Sequence, residues 1–120
     1  MAVSIQELLK QKDAILAKKE EQFDIQTSIG TVTVKKASRS MASEIFDMSD
    51  GADEYAILNL VVAPNLKDAK LQEAYGCVEP TDIIGKLFDP GEAPALARKI
   101  LECAGYGKTL AAKVHEDVKN

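Results

Sequence analysis

The chain has 120 residues, of which 46% are apolar, 28% are charged and 5% are aromatic, and its formal net charge is −4. These values suit one soluble domain with a mostly aliphatic core, and the negative charge disfavours contact with the phosphate backbone of a nucleic acid. No apolar run has the length of a membrane helix or of a signal-peptide core, and the two cysteines, Cys77 and Cys103, form no C-x-x-C pair. We therefore expect a cytoplasmic protein with reduced thiols, no cofactor, and neither a nucleic acid nor a membrane as its partner.

Residues 1–22 predict an N-terminal helix, which spans residues 4–21. Ser4 and Glu7 have the spacing of a capping box, in which each side chain accepts a hydrogen bond from a free backbone N–H group. Aliphatic residues then recur at three- and four-residue intervals on one face, with Lys12 in the gap. This aliphatic stripe consists of Ile5, Leu8, Leu9, Ile15 and Leu16. The stripe either binds a partner or packs against the rest of the chain, and the sequence leaves both alternatives open.

Residues 23–36 predict a β-hairpin, because the helical period gives way to alternation. Phe23 and Ile25 precede Gly30, and Val32 and Val34 follow it, with polar residues between them. Alternating β-branched and aromatic residues are typical of strands with one buried face. Gly30 tolerates the positive φ that a tight turn needs. One face of the hairpin must pack on helices, since an isolated hairpin is only marginally stable.

Residues 37–107 predict a helical core of short segments with explicit start and stop signals. The segment 54–62 is apolar nearly all round, which is typical of a buried central helix. Pro64 ends this helix, Asn65 caps the next one, and Gly76 closes that one in the left-handed conformation. The predicted helices cover residues 38–48, 54–62, 66–75 and 80–88, followed by a last helix that ends at residue 104.

Residues 108–120 form a charged tail after two turn signals, Gly105 and Gly107. Chain termini of this composition are often disordered. Together the segments predict a single α+β domain over residues 1–120 that is mostly helical, with short capped helices packed against one β-hairpin.

The titratable residues predict no catalytic or metal-binding site. His115 is the only histidine and lies in the polar tail, which excludes any site with two histidine ligands. The carboxylate pairs lack the contrast between apolar and polar surroundings that an acid–base pair needs. G-Y-G-K-T (105–109) ends like a phosphate-binding loop, but Glu102 stands where that motif requires glycine. We therefore expect a protein that is not an enzyme.

Residues 71–87 have the layout of a helix-turn-helix, which offers an alternative function. L-Q-E-A-Y-G-C-V-E-P-T-D-I-I-G-K-L places a helix, a turn with glycine and a second helix in order. In a small DNA-binding regulator the second helix would enter the major groove. Its first turn carries Glu79 and Asp82, which face a polyanion unfavourably, with only Lys86 to offset them.

Three ordered phrases in the second half of the chain resemble the phage XkdN-like tail assembly chaperones. They are V-V-A-P-N-L-K-D-A-K-L-Q-E-A-Y-G (61–76), K-L-F-D-P-G-E (86–92) and A-G-Y-G-K-T-L (104–110), and the charged ending V-H-E-D-V-K-N completes the likeness. The N-terminal half resembles the family in layout, with a polar helical lead, a strand pair and then a helix.

The resemblance implies a non-catalytic chaperone of a tailed phage or prophage. Its expected client is the tape measure protein, with the major tail tube protein as a second candidate partner. Such a chaperone works in the cytoplasm of the host bacterium and is absent from the mature virion. The sequence does not decide whether it forms a homo-oligomer. The family has no catalytic, cofactor-binding or metal-binding residue to carry over, so the predicted partner-binding face is the aliphatic stripe.

Overall fold

Helices dominate the computed structural model, which describes residues 1–116. None of the helices within these residues has both the length and the apolar character of a membrane span. The predicted fold class, α+β and mostly helical, is confirmed, and residues 117–120 of the predicted tail lie outside the described residues. In chain order the elements are α1 (Ile5–Lys10), α2 (Lys12–Lys18), β1 (Gln22–Thr27), β2 (Gly30–Lys35), α3 (Arg39–Asp47), α4 (Ala52–Leu60), β3 (Val61–Ala63), α5 (Ala69–Ala74), α6 (Asp82–Leu87) and α7 (Glu92–Cys103).

A three-stranded antiparallel sheet holds β2 between β1 and β3. Phe23 lies opposite Val34, and Ile25 lies opposite Val32. The alternation in the sequence thereby places Val32 and Val34 fully in the core. Gly30 begins β2 with a φ of +117°, a conformation that residues with a side chain rarely adopt. The predicted hairpin is confirmed.

The third strand was missed by the sequence prediction, which continued the buried helix to Val62. α4 ends instead at Leu60, and Val61–Ala63 pairs with β2. A short run of β-branched residues is compatible with either structure, and pairing with an available strand edge decides in favour of β. Pro64 is a local signal that the helix ends before it, because the residue before a proline avoids the helical conformation.

α4 lies at the centre of the core, as its sequence predicts. Its buried side chains are those of Ala56, Ile57, Leu58 and Leu60, and α3, α6 and α7 pack around it. No polar or charged side chain among residues 1–116 is buried, so the core is held by aliphatic packing. Further buried residues are Val32, Val34, Ala42, Ile45, Leu66, Ile83, Ile84, Phe88, Leu96, Ala97 and Ile100.

α5 begins later than predicted, because a different side chain caps it. The Asp68 carboxylate accepts a hydrogen bond from the N–H of Leu71 at 3.0 Å. Asn65, the predicted cap, accepts a hydrogen bond from the N–H of Lys67 at 3.1 Å and forms a turn instead. The order of the elements is unchanged, and only the start of the helix moves.

The predicted N-terminal helix is two helices. Gln11 separates α1 from α2 with φ −89° and ψ 0°, outside the helical range. Neither helix has a buried residue. Packing against a core therefore does not stabilise these two helices. Helices of this length are only marginally stable by themselves.

Candidate partner-binding surfaces

The two N-terminal helices form an arm, residues 5–18, that leaves its aliphatic face uncovered. Within residues 1–116 no stripe residue is buried against the hairpin or the other helices, and Ile15, near the base of the arm, lines a cleft with Phe23 and Cys103. The chain is correspondingly elongated, with extents of 72 × 29 × 24 Å. The exposed fractions of the stripe residues are 74% for Ile5, 45% for Leu8, 67% for Leu9, 38% for Ile15 and 56% for Leu16.

The start of the arm is capped by Ser4, as predicted. The Ser4 hydroxyl accepts a hydrogen bond from the N–H of Glu7 at 3.1 Å. The Glu7 carboxylate accepts from the same hydroxyl at 3.1 Å, and not from the backbone as in a full capping box. This local cap supports the first turn of the helix without any apolar cover.

Lys36 fixes the base of the arm to the hairpin. Its Nζ donates a hydrogen bond to the backbone carbonyl of Lys18 and pairs with the Glu21 carboxylate at 3.5 Å. The same ammonium lies 5.7 Å from the centre of the Phe23 ring. Because the lysine side chain is only 16% exposed, water screens these contacts less than it screens a surface ion pair. The arm thus leaves the body from a defined joint.

The polar tail runs beside the arm without covering the stripe. Its described part has neither helix nor strand, and Lys113–Glu116 share a surface cleft with Met1 and Ala2. Its aliphatic residues Leu110 and Val114 are 89% and 86% exposed. Side chains this exposed provide no apolar cover for a neighbouring helix.

A second apolar surface, the α5 groove, lies between α4, α5 and the loop that follows α5. The groove is open to solvent and has a volume of about 810 Å³, within the range of clefts that bind small molecules. Leu58 is buried in its lining, and the half-buried Tyr55 and Cys77 also line it. Val78 lines the groove as well and is 92% exposed.

Side-chain hydrogen bonds hold the α5 groove in shape. The Gln72 amide Nε2 donates to the carbonyl of Leu66 at 2.8 Å and to that of Pro80 at 3.0 Å, which joins α5 to the loop before α6. Lys67 Nζ donates to Oδ1 of Asn59 on α4 at 2.8 Å. The walls of the groove are therefore fixed by contacts within the folded body.

Val78 is exposed on a backbone that is itself held in place. The Asp82 carboxylate accepts hydrogen bonds from the N–H of Val78 at 3.0 Å and from that of Glu79 at 2.9 Å. These two bonds favour the ionised carboxylate and lower the pKa of Asp82. The loop therefore holds an apolar side chain outward beside an apolar groove, which enlarges the surface that a partner can bury.

Comparison with protein families identifies the chain. A sequence model of the phage XkdN-like tail assembly chaperone family matches residues 16–119. The chain belongs to this family. The resemblance found in the sequence is thereby confirmed. Searches among curated proteins and among solved structures gave no match.

The family match covers the groove of this tail assembly chaperone but little of its arm. Residues 55–81, which contribute the groove, lie inside the matched region, whereas α1 precedes it. Of the stripe residues only Leu16 lies within the match. A binding role for the arm therefore has to be argued from the exposure of the stripe in this chain.

The helix-turn-helix alternative gains no support in the chaperone. The predicted second helix begins at Asp82, not at Pro80, and has 6 residues. The Asp82 carboxylate faces the backbone of the preceding loop, beside Glu79. The end of the helix that would enter a DNA groove is therefore acidic, which is unfavourable beside phosphates.

Within residues 1–116 no group of three His, Cys, Asp or Glu side chains could hold a metal ion. Burial raises the pKa of the Cys103 thiol, which keeps it protonated and a poor nucleophile. Membership of a chaperone family likewise favours a role without catalysis.

Sequence reasoning found the arm of the chaperone but missed the groove. The stripe is a period within one segment, so it is visible locally. The groove combines two helices, the turn before α5 and the loop after it, and no local pattern marks that combination. Val78 in G-C-V-E-P is the one sequence signal, because a valine inside a turn has no obvious place in a core.

Proposed function

We propose that this chaperone binds the tape measure protein of its phage through the aliphatic stripe and keeps that protein soluble until the tail tube polymerises around it. The observation that carries the proposal is the exposure of five aliphatic side chains, at helical spacing, on the arm. Family membership supports the class of partner, because a tail assembly chaperone implies binding to tail proteins.

The chemistry of the stripe suits a helical client. A long helical protein with apolar stretches aggregates when those stretches are bare. A short amphipathic helix covers such a stretch by laying its own apolar face against it, with anchors three and four residues apart. Ile5 lies three residues before Leu8 and four before Leu9 on α1, and Ile15 and Leu16 on α2 follow Leu8 and Leu9 at seven residues, two helical turns further on.

The small size of the arm favours reversible binding. Each arm offers a few exposed aliphatic side chains, so a single contact is of moderate affinity. Several chaperones along one extended client add avidity without any new type of contact. The major tail tube protein is the second candidate partner and would displace the chaperone as the tube forms. We place this non-catalytic cycle in the host cytoplasm, and the chaperone does not enter the mature virion.

A pull-down with a charged stripe tests the proposal. The tape measure protein, carrying an affinity tag, is co-expressed with the wild-type chaperone or with the double variant L8E/L9E. The matched control is A14E/A17E, which adds the same charge at exposed alanines outside the stripe. We expect L8E/L9E to lose the client and the control to retain it, because a buried carboxylate opposes an apolar contact.

Thermal unfolding of both variants separates loss of binding from loss of fold. Leu8 and Leu9 are exposed, so we expect both variants to melt as cooperatively as the wild type. A folded L8E/L9E variant that still retains the tape measure protein would remove the stripe from the binding site. A wild-type chaperone that does not co-purify with the tagged tape measure protein would exclude that protein as the client.

A further inference from the structure

We propose that the outer edge of β1, together with a basic cleft beside it, binds an extended acidic segment of a partner protein as a fourth strand of the sheet. The basic cleft lies between β1 and the C-terminal end of α7, at the base of the arm. Within residues 1–116, Ile15 is the one stripe residue that lines it. The site therefore belongs to the folded body and does not rest on the proposed function.

The two edges of the sheet differ in how far they are protected against pairing. Edges that stay unpaired are commonly short, or are interrupted by proline, by a bulge or by lysine. β3 has three residues, pairs irregularly with β2 and is followed directly by Pro64. β1 has six residues, contains neither proline nor lysine, and pairs with β2 without a bulge. Of these two edges, that of β1 is the one suited to receive another strand.

Three residues of β1 offer backbone groups at this edge. Thr27 and Gly30 pair across the two-residue turn that closes the hairpin. In an antiparallel pair, residues that exchange hydrogen bonds with the partner strand alternate with residues whose N–H and C=O groups point away from it. Counting back from Thr27, the groups of Gln22, Asp24 and Gln26 point away from β2. Within residues 1–116 no other backbone group bonds to them.

The basic cleft lies where the side chains of an added strand would lie. Its part at the base of the arm has a volume of about 630 Å³ and continues along β1 into a second part of about 430 Å³. Phe23 and Cys103, both half-buried, line the two parts. Side chains alternate between the faces of a strand, so a strand added to β1 would direct every second side chain into this cleft. Apolar residues at those positions would contact Phe23 and Cys103.

The charge of the cleft favours an acidic occupant. Four lysines and two glutamates line the part at the base of the arm, although the whole chain has a net charge of −4. Glu21 pairs with Lys36 at 3.5 Å, and Glu102 pairs with Lys99 at 3.5 Å. Within the described residues no ion pair neutralises the other three lysines, so carboxylates of a partner would supply the missing countercharge. These three are Lys18, Lys19 and Lys108.

A second copy of β1 suits this site less well than a segment of another protein. Two β1 edges that pair antiparallel about their centres place the two Asp24 carboxylates directly opposite each other, which is destabilising. β1 also carries no further carboxylate that could bind the lysines. We therefore infer an occupant in which apolar residues alternate with polar ones and acidic residues flank them. Such a segment adds to a sheet edge through its main chain and gains specificity from its side chains.

Fluorescence anisotropy of a labelled peptide tests the site. In the probe, valine alternates with threonine and glutamates stand at both ends, so that the peptide fits in either strand direction. One control peptide has lysine in place of every glutamate. A second control keeps the sequence of the probe but has an N-methyl group on every residue, which removes the backbone donors that a strand needs.

We expect the chaperone to bind the acidic peptide at least about tenfold more tightly than the lysine peptide, and not to bind the N-methylated peptide. K19Q/K108Q should weaken binding about tenfold, because two uncompensated ammonium groups are lost. The matched control K70Q/K86Q, at exposed lysines outside the cleft, should bind as the wild type does.

Amide exchange locates the peptide on the sheet. Binding should slow the exchange of the amide groups of Gln22, Asp24 and Gln26, which point away from β2. The amide groups of Phe23 and Ile25 already bond to β2, so their exchange should change little. This alternation along one strand is specific to strand addition, because a peptide that only covers the surface would not distinguish neighbouring residues.

Three outcomes would overturn the proposal. They are an acidic peptide that binds no more tightly than the lysine peptide, an N-methylated peptide that binds as well as the probe, and protection of the same three amide groups by protein concentration alone. The last outcome would make a second copy the occupant. L8E/L9E should bind the probe as the wild type does, so this experiment and the pull-down can fail independently of each other.

Discussion

The Glu92 carboxylate accepts two hydrogen bonds from Ser28, one from the backbone N–H at 2.8 Å and one from the hydroxyl. The two residues are 64 positions apart in the chain. Ser28 lies in the turn between β1 and β2, and Glu92 begins α7. The pair therefore ties the tip of the hairpin to the helix that packs behind the sheet.

Glu92→Gln is expected to make the free energy of unfolding depend less on pH in the acidic range. The Ser28 hydroxyl, followed by its backbone N–H, lowers the pKa of Glu92 below its ordinary value of 4.5. A lowered pKa in the folded state stabilises the fold above that ordinary value, and the gain is lost as the pH falls through the lowered pKa.

Urea unfolding of the wild type and of Glu92→Gln at a series of pH values measures this effect. The wild type should be the more stable at neutral pH, and the difference should shrink on acidification. Glu20→Gln, at an exposed position on the chain before β1, is the control and should show no such trend. A difference that stays constant with pH would contradict the role of the ionised carboxylate.

Ile57→Ala and Leu9→Ala are expected to differ widely in stability. Ile57 is fully buried at the centre of α4, so its truncation should cost about 2–5 kcal/mol through lost burial and a cavity. Leu9 is 67% exposed, so its truncation should cost no more than about 0.5 kcal/mol. Chemical denaturation measures both values. A large loss for Leu9→Ala would show that the stripe is part of the core.

Lys36→Met should loosen the base of the arm. The substitution keeps the apolar stem but removes the hydrogen bond to Lys18, the ion pair with Glu21 and the charge over Phe23. Hydrogen exchange at residues 18–22 should become faster, while that of α4 should not change. Lys35→Met, at the exposed last residue of β2, is the control. Unchanged exchange in Lys36→Met would mean that other contacts fix the arm.

Asp82→Ala should release the loop that carries Val78. The amide groups of Val78 and Glu79 lose their shared acceptor, so they should exchange faster with solvent. Glu73→Gln, at a carboxylate on α5 outside this loop, is the control and should leave these two amide groups unchanged. Amide exchange equal to that of the wild type would show that the loop does not depend on Asp82.

Purified virions should contain no chaperone. We expect mass spectrometry of intact tails to detect the tape measure and tube proteins but not this chain, while the lysate contains all three. Lysate spiked with purified chaperone gives the detection limit. A constant number of chaperone copies per tail would instead make the chain a structural component.

Local patterns predicted most of the elements because each of those signals acts within a few residues. The alternation around Val32 and Val34 identified the hairpin, and the positive φ of Gly30 agrees with its place after the turn. Gly76 ends α5 with a φ of +68°, as a C-terminal glycine should. The phrases that carry the family resemblance are also local, and the family match confirms them.

One error lies where a distant partner decides the structure, and another lies where two nearby side chains compete to cap the same helix. Val61–Ala63 becomes a strand because β2 offers an edge, and its residues alone are compatible with a helix. Asp68 and not Asn65 caps α5. The Glu92 carboxylate at the start of α7 binds Ser28 across the fold, a contact that no local pattern predicts.

By itself the sequence determined the α+β class, the hairpin, the amphipathic period of the arm and the family. Each of these follows from short-range residue spacing or from short sequence motifs. Only the tertiary structure decided that the stripe is uncovered and that α4, α5 and the loop at Val78 form a groove. The physical reason is that burial depends on what else folds against a face. An amphipathic helix has the same sequence pattern whether its apolar side packs against the core of its own chain or binds another protein.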